Sequence, residues 1–255
     1  MSTPDRTAQI PFRRLVDVEL RKLADTRSAL WLLVSIALIA VGAVAVLVLF
    51  APFQATYADL ANAVAYPLGL LVPMVGLLSI TSEWSQRGAL TTFTLVPRRG
   101  RVIAAKAACV AGLTVVATAL MFGLAACGAL LSAATEGTSA VWNLSWADHL
   151  YLFTFQAIGV AVGFTLGAIL RRSSVALVGY LMFALVVPSL SSQLAFGVEW
   201  WGAAAPWLDL THAQYALLGA TVTGEQWTQL GITAALWIVV PFALGLWRLR
   251  RAEIR

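Results

Sequence analysis

The two histidines of the chain each lie close to an aspartate, and this pairing is the first pattern that could support chemistry. His149 follows Asp148 directly, and His212 lies three residues after Asp209. A carboxylate that orients an imidazole can help it polarise water, so one hypothesis is an integral-membrane enzyme with a His/Asp site on its outer face. The hydrolase motifs G-x-S-x-G and H-E-x-x-H are missing from the sequence. We therefore expect polar residues at the membrane boundary and no catalytic residue.

The other reactive residue types give no cofactor or metal site. Cys109 and Cys127 lie 18 positions apart in one apolar run. On a helix this is about 27 Å, too far for a disulfide bond. No spacing typical of a structural metal site occurs. The phosphate-binding motif G-x-x-x-x-G-K-[ST] is missing as well, so we expect no cofactor in this chain. If the protein is a pump, a separate subunit must supply the energy, and ATP with Mg²⁺ would act there.

The composition places these residues in a membrane protein. The 255 residues are 60% hydrophobic and 11% charged, whereas a soluble domain is about 45–50% apolar and about 25% charged. Long apolar runs predict an all-α, polytopic protein with six spans, and no run shows the short alternation of a β-barrel strand. The predicted spans are residues 28–50, 60–80, 103–132, 150–170, 174–194 and 229–247. The third exceeds the bilayer core and must tilt or protrude.

All 17 Lys and Arg residues fall in four segments on one predicted side of these spans. The segments are the N-terminal region, the loop between spans two and three, the link between spans four and five, and the C-terminal tail. Because basic loops stay inside, both termini are predicted to be cytoplasmic. The chain then divides into an interfacial segment 1–27, a membrane domain 28–247 and a tail 248–255. Divided in this way, the basic residues fit anionic lipid and not nucleic acid.

The spans carry no Asp, Glu, Lys or Arg in their deep parts, because Glu83 and Lys106 lie at span ends. Ion-coupled carriers usually need ionisable groups inside the membrane, so their absence weakens that class. An ATP-independent channel or membrane scaffold stays open as a second alternative.

The segment before the first span has the pattern of an amphipathic helix. Phe12, Val16, Leu20 and Leu23 repeat at helical spacing on one face, with charged residues largely elsewhere. Such a helix is expected to lie in the membrane interface. It would serve either as a simple topology anchor or as an arm that docks a cytoplasmic partner.

The loop between spans two and three combines apolar and basic residues around a proline. Pro97 predicts that a helix ends near Leu95. A short amphipathic helix at a cytoplasmic mouth suits docking into a groove of another protein. The residues that define this candidate coupling loop are Glu83, Trp84, Arg87, Gly88, Leu90, Phe93, Pro97, Arg98, Arg99 and Lys106.

This loop resembles that of a known family. The run Glu83-x4-Gly88, Leu95-x-Pro97-x-Arg99 and then Lys106 is similar to the loop of type-2 ATP-binding-cassette (ABC) exporter permeases, which include bacterial antibiotic-export and self-resistance permeases. The six spans, the leading amphipathic helix and the long segment after span five extend the resemblance over nearly the whole chain. Ala89, where many relatives have Thr, and Gly100 in the basic cluster are mild departures.

The resemblance implies how the subunits assemble and how ATP hydrolysis would be coupled to transport. The loop would be the coupling helix that contacts a separate ABC ATPase subunit, and two ATPases would join two permeases, expected to be a homodimer in a bacterial plasma membrane. Glu83 lies at the span end, where it could pair with Arg87, Arg98 or Arg99, and the alternative is a solvated surface pair that contributes only about 0–1 kcal/mol. The substrate path would lie between the permeases, lined by spans two and five, and would suit an amphipathic or hydrophobic drug, peptide antibiotic or lipid.

Two further patterns concern packing and this path. Gly159, Gly163 and Gly167 form G-x-x-x-G-x-x-x-G on span four, which lets helices approach closely. Packing within one subunit is preferred over a dimer face. At the end of span five, Ser189, Ser192 and Gln193 are predicted to line an exit path.

Overall fold

Helices make up almost all of the described chain. The computed structural model describes residues 11–25, 27–51, 53–85, 99–219 and 221–251, with backbone only at 23–25, 27–29, 83–85, 99 and 248–251. The helices are α1 (Phe12–Asp25), α2 (Arg27–Phe50), α3 (Tyr57–Ser85), α4 (Arg99–Glu136), α5 (Trp146–Leu170), α6 (Ser173–Leu181), α7 (Val187–Gly197), α8 (Glu199–Leu208), α9 (Leu210–Tyr215), α10 (Gly224–Ala234) and α11 (Val240–Arg251). These ranges contain no β-strand.

Six of the helical stretches are long and apolar enough to cross a membrane. They are α2, α3, α4 and α5, followed by α6 with α7 as span five and α10 with α11 as span six. This confirms the predicted all-α class, and the protein is a multi-pass membrane protein.

The helices extend beyond the predicted apolar runs, and α4 extends furthest. It has 38 residues, a length of about 57 Å against about 30 Å of hydrocarbon. It begins at Arg99 and ends at Glu136, so polar turns at both ends continue the helix past the apolar stretch. An apolar run marks the membrane core, whereas hydrogen bonding and capping decide where the helix ends.

The centre of the bundle is a close seam between α3 and α5. A Cβ placed on Gly163 would lie 2.3 Å from the Pro73 carbonyl oxygen, and one on Gly167 would lie 2.8 Å from that of Leu77. These distances are too short for any side chain, so glycine lets the two backbones touch. The glycine face of span four is thus a packing surface within the chain.

Spans five and six are each interrupted by one π-helical turn just before a proline. In Met182–Val186 and in Ala235–Val239 the closing hydrogen bond joins residues five apart. Pro188 and Pro241 follow; proline lacks an N–H and crowds the carbonyl four residues earlier, which widens the turn. The two turns meet through the rings of Phe183 and Trp237, whose centroids are 5.5 Å apart.

The two ends of the bundle differ in charge. At the end that we call the basic end, α1 packs on the first turns of α4, close to Lys106. The opposite, acidic end carries the short helices α8 and α9, which lie between spans five and six. Ser145 and Asp148 form a capping box there that begins α5.

Candidate functional site

A cavity of about 320 Å³ lies between spans two, four and five and the short helix α9. Its walls are mainly apolar, as is usual for sites that hold small molecules. Aromatic rings dominate the lining, and they come from Tyr66, Phe155, Tyr180, Phe183 and Tyr215. Gly69 and Gly159 also line it. The cavity therefore depends on the glycine seam on one side and on the π turn of span five on the other.

One polar group in this wall satisfies a backbone carbonyl that Pro73 leaves without its helical partner. Pro73 has no N–H, so the carbonyl of Gly69, four residues earlier, lacks its usual donor. The hydroxyl of Tyr180 donates to that oxygen at 3.0 Å and ties span five to span two. Inside a membrane such a replacement is needed, because water is not at hand to satisfy the carbonyl.

A second cavity, of about 250 Å³, adjoins the first at Tyr215. Ser189 and Ser192 of the predicted path line it, together with Asp209 and His212. Both serines donate their hydroxyl protons to carbonyls of their own helix, at 2.9 and 3.0 Å. Their oxygens are left as acceptors. Gln193, the third predicted path residue, is exposed and does not line this cavity.

Asp209 has two carboxylate oxygens in different situations. Its Oδ1 caps α9 by accepting from the backbone N–H groups of Thr211 at 2.9 Å and His212 at 3.3 Å, and from the Thr211 hydroxyl. Its Oδ2 is buried and has no hydrogen-bond partner among the residues that the structure describes. Burial raises the pKa of neighbouring Tyr215, with smaller contributions from Tyr66 and Asp209, so the phenol keeps its proton at neutral pH.

His149 is engaged on both ring nitrogens, which sets its tautomer. Nδ1 lies 2.7 Å from the Ser145 carbonyl oxygen, which only accepts, so Nδ1 carries the proton. Nε2 lies 3.1 Å from the Tyr57 hydroxyl and accepts from it. The ring also packs 4.5 Å from that of Phe122, centroid to centroid. This arrangement is a structural one at the boundary of α3, α4 and α5.

At the basic end, a buried ion pair joins α1 to α4. Lys106 Nζ lies 2.5 Å from Glu19 Oε2, and both side chains are at most 8% exposed. Lys22 contacts the other oxygen of Glu19 at 2.8 Å. Lys106 was expected as part of the coupling loop. It lies buried near the start of α4, where its ion pair with Glu19 fixes the amphipathic helix α1 to the start of span three.

The predicted apolar stripe of α1 is only partly covered by protein. Val16 is half-buried against α4, where Cys109 Sγ donates weakly to its carbonyl oxygen at 3.5 Å. Phe12 and Leu20 are 43% and 48% exposed, which suits contact with lipid for a helix in the interface. The side chain of Leu23 lies outside the described residues.

Most of the candidate coupling loop lies outside the described residues. Arg87, Gly88, Leu90, Phe93, Pro97 and Arg98 belong to that stretch. Glu83 and Trp84 are described by backbone alone in the last turn of α3, and Arg99 begins α4. The pairing of Glu83 with a loop arginine stays a prediction.

Two acids were missed as site residues by the sequence reasoning. Glu19 lies on the helical face of Val16 and Leu23, and an acid on an apolar face is a signal that a buried cation faces it. Asp209 was noted only beside His212. Its burial follows from the bend between α8 and α9, for which the sequence gives no direct signal.

No protein-family model and no curated protein matches the chain.

Proposed function

We propose that this chain is the membrane-spanning permease subunit of a type-2 ABC exporter in a bacterial plasma membrane, with both termini in the cytoplasm. Two copies would work with two ATPase subunits to move an amphipathic or hydrophobic drug, peptide antibiotic or lipid out of the cell. The observation that carries this proposal is the Glu83-to-Lys106 sequence, which bears the coupling-loop pattern and directly joins two spans of the bundle.

The position of this loop suits the transmission of force. It connects α3, which forms the central seam, to α4, which the Glu19–Lys106 pair fixes to α1. A displacement of the loop would act on both helices at their basic ends. Because α3 touches α5 backbone to backbone at Gly163, the same displacement would reach the walls of the larger cavity.

The cavities support the proposed cargo class. The larger cavity offers apolar and aromatic surface from spans two and five, the spans expected to line the path. The smaller one adds hydroxyl and carboxylate groups towards the acidic end. A molecule with an apolar body and a polar tip would find a complementary surface for each part.

Purification of the intact chain from membranes of its own host, after mild solubilisation, tests the proposal. We expect a co-purifying subunit with vanadate-sensitive ATP hydrolysis. The Glu83→Ala variant should keep its spans folded but lose most of the substrate-stimulated hydrolysis. Glu136→Ala, a glutamate exposed at the acidic end, is the matched control and should behave as wild type. A chain that purifies with no ATPase, or Glu83→Ala with wild-type coupling, would overturn the proposal.

The enzyme alternative has a weaker geometric basis. Both nitrogens of His149 are engaged, and in the described part of the chain no hydrogen bond joins the His212 ring to Asp209. Replacing both histidines by alanine should leave transport intact, and a loss of function in that variant would favour the enzyme. A channel or scaffold would work without ATP hydrolysis, which the purification above distinguishes.

A further inference from the structure

The smaller cavity brings together several oxygen acceptors, and although His212 and Tyr215 also line it, neither donates to Asp209 Oδ2 in the described structure. The carboxylate of Asp209 and the oxygens of Ser189 and Ser192 line it, and both hydroxyl protons are already used within span five. Asp209 is 6% exposed, and within the described part of the chain no group donates a hydrogen bond to its Oδ2. A buried carboxylate oxygen without a donor is costly, so this arrangement is incomplete without a positively charged or hydrogen-bond-donating group.

The charges and the ligand atoms around the smaller cavity indicate which kind of group could bind to Asp209. All Lys and Arg residues belong to the basic-end segments, whereas six acids lie at the acidic end, so the local field favours cations. A divalent metal ion would need several oxygen or nitrogen ligands. No cluster of three or more His, Cys, Asp or Glu side chains occurs among the described residues. One carboxylate with two hydroxyl acceptors instead matches the three donors of a primary ammonium group.

The adjoining larger cavity suits the rest of such a molecule. Tyr215 borders both cavities, and its ring together with those of Tyr66 and Phe183 lines the larger one. Aromatic faces attract cations as well as apolar groups. A volume of about 320 Å³ is within the range of ligand sites.

We propose that Asp209 recognises a protonated amine on the exported molecule, whose cationic end occupies the smaller cavity and whose apolar part occupies the larger one. This assignment names the substrate class of the exporter and rests on the function proposed above. Asp209 Oδ2 accepts from the ammonium, while Oδ1 continues to cap α9.

Binding to the purified full chain in lipid nanodiscs tests this assignment without any ATPase. The probes are dansylcadaverine, a fluorescent primary amine, and its neutral N-acetyl derivative. The wild type should bind the amine more tightly. Asp209→Asn keeps an oxygen for the α9 cap and removes the charge, so amine affinity should fall about 10- to 100-fold, as for the loss of a charge-assisted hydrogen bond. Affinity for the acetylated probe should stay within about twofold, which also reports an intact fold.

Asp59→Asn is the matched control, because Asp59 also accepts hydrogen bonds at a helix start at the acidic end but lines neither cavity. It should bind both probes as the wild type does. If Asp209→Asn does not fold, Ser192→Val keeps the carboxylate and its cap but narrows the smaller cavity, and it should weaken amine binding at least about fivefold.

Equal binding of the two probes by the wild type, binding of neither, or unchanged amine affinity in the folded Asp209→Asn variant would overturn the amine assignment. Amine binding that depends on Asp209, in a chain that purifies with no ATPase, would instead leave the assignment standing and refute the exporter. The two failures are therefore distinguishable.

Discussion

Glu19 and Asp209 are both buried acids at opposite ends of the bundle, and their surroundings differ. Each is 6% exposed. Glu19 has a lysine on each oxygen, Lys106 at 2.5 Å and Lys22 at 2.8 Å. Asp209 uses one oxygen as a helix cap, and the other has no donor in the described ranges. Both carboxylate oxygens of Glu19 are therefore paired within the protein, whereas Asp209 keeps one oxygen that can still accept a hydrogen bond.

This difference separates a structural role from a binding role. A fully paired buried charge holds two elements together and has nothing left to offer a ligand. A buried carboxylate with an unused oxygen keeps the capacity to bind, at a cost in stability. Stability should therefore depend strongly on the partners of Glu19, and ligand affinity on Asp209.

Lys106→Met should have the largest effect. Of the two lysines that contact Glu19 in the described structure, it leaves the half-exposed Lys22, and the free energy of unfolding should fall by about 3–5 kcal/mol. The midpoint of thermal unfolding in detergent micelles measures this change. Lys22→Met is the control: it removes a cation from the same acid, but Lys22 is 43% exposed, so its loss should cost only about 0–1 kcal/mol. Equal losses of stability in the two variants would refute the idea that the burial of each lysine determines how much its ion pair contributes.

Gly163→Ala tests whether the seam, and not the charges, holds the cavity in place. The new Cβ would meet the Pro73 carbonyl oxygen at 2.3 Å and must push α3 and α5 apart, a cost of about 1–3 kcal/mol. The same change at Gly123 on α4, where nothing lies within 4 Å, should be neutral or slightly stabilising. Amine binding measured on Gly163→Ala should weaken as well, and unchanged stability would mean that the seam is looser than the geometry indicates.

Much of this fold could be predicted from the sequence because its signals are strong and local. Six long apolar runs and the distribution of Lys and Arg give the spans and a predicted sidedness. The glycine spacing on span four indicates close packing, although the sequence does not name α3 as the partner. The π turns could be anticipated only as bends, since Pro188 and Pro241 predict a disturbance while Pro67 and Pro73 sit in a continuous α3.

The candidate site was harder to predict because it depends on contacts between distant segments. Ser189 and Ser192 were expected on a path, but Asp209 joins them only through the bend between α8 and α9. Lys106 was assigned from its place in a loop pattern, whereas its partner Glu19 lies 87 positions earlier. Sequence periodicity places a residue on a face, but it does not say which helix packs against that face.

Asp209→Ala should have a smaller effect on stability than the loss of Lys106. Removing the cap of α9 costs about 1 kcal/mol, within the range for helix N-caps. Asp209→Asn should cost less than half of this, because its side-chain oxygen still accepts from the Thr211 N–H. Thermal unfolding measures the stabilities. Affinity for the primary amine should fall in both variants, by about 10- to 100-fold in Asp209→Asn. If Asp209→Asn destabilised the chain as much as Asp209→Ala, the carboxylate charge itself would be structural and the contrast with Glu19 would fail.

The smallest net effect is expected when both members of the buried pair are replaced. Glu19→Met with Lys106→Met removes two charges that must otherwise be held out of water, so the double variant should unfold within about 1 kcal/mol of the wild type or above it. A double-mutant cycle against the two single variants measures the coupling. The double variant should nevertheless lose part of the ATP-driven coupling, because apolar side chains fix α1 on α4 with less directional precision than a charged hydrogen bond. A double variant as unstable as Lys106→Met would instead mean that Glu19 contributes packing rather than charge, and the two acids would then not form the contrast described above.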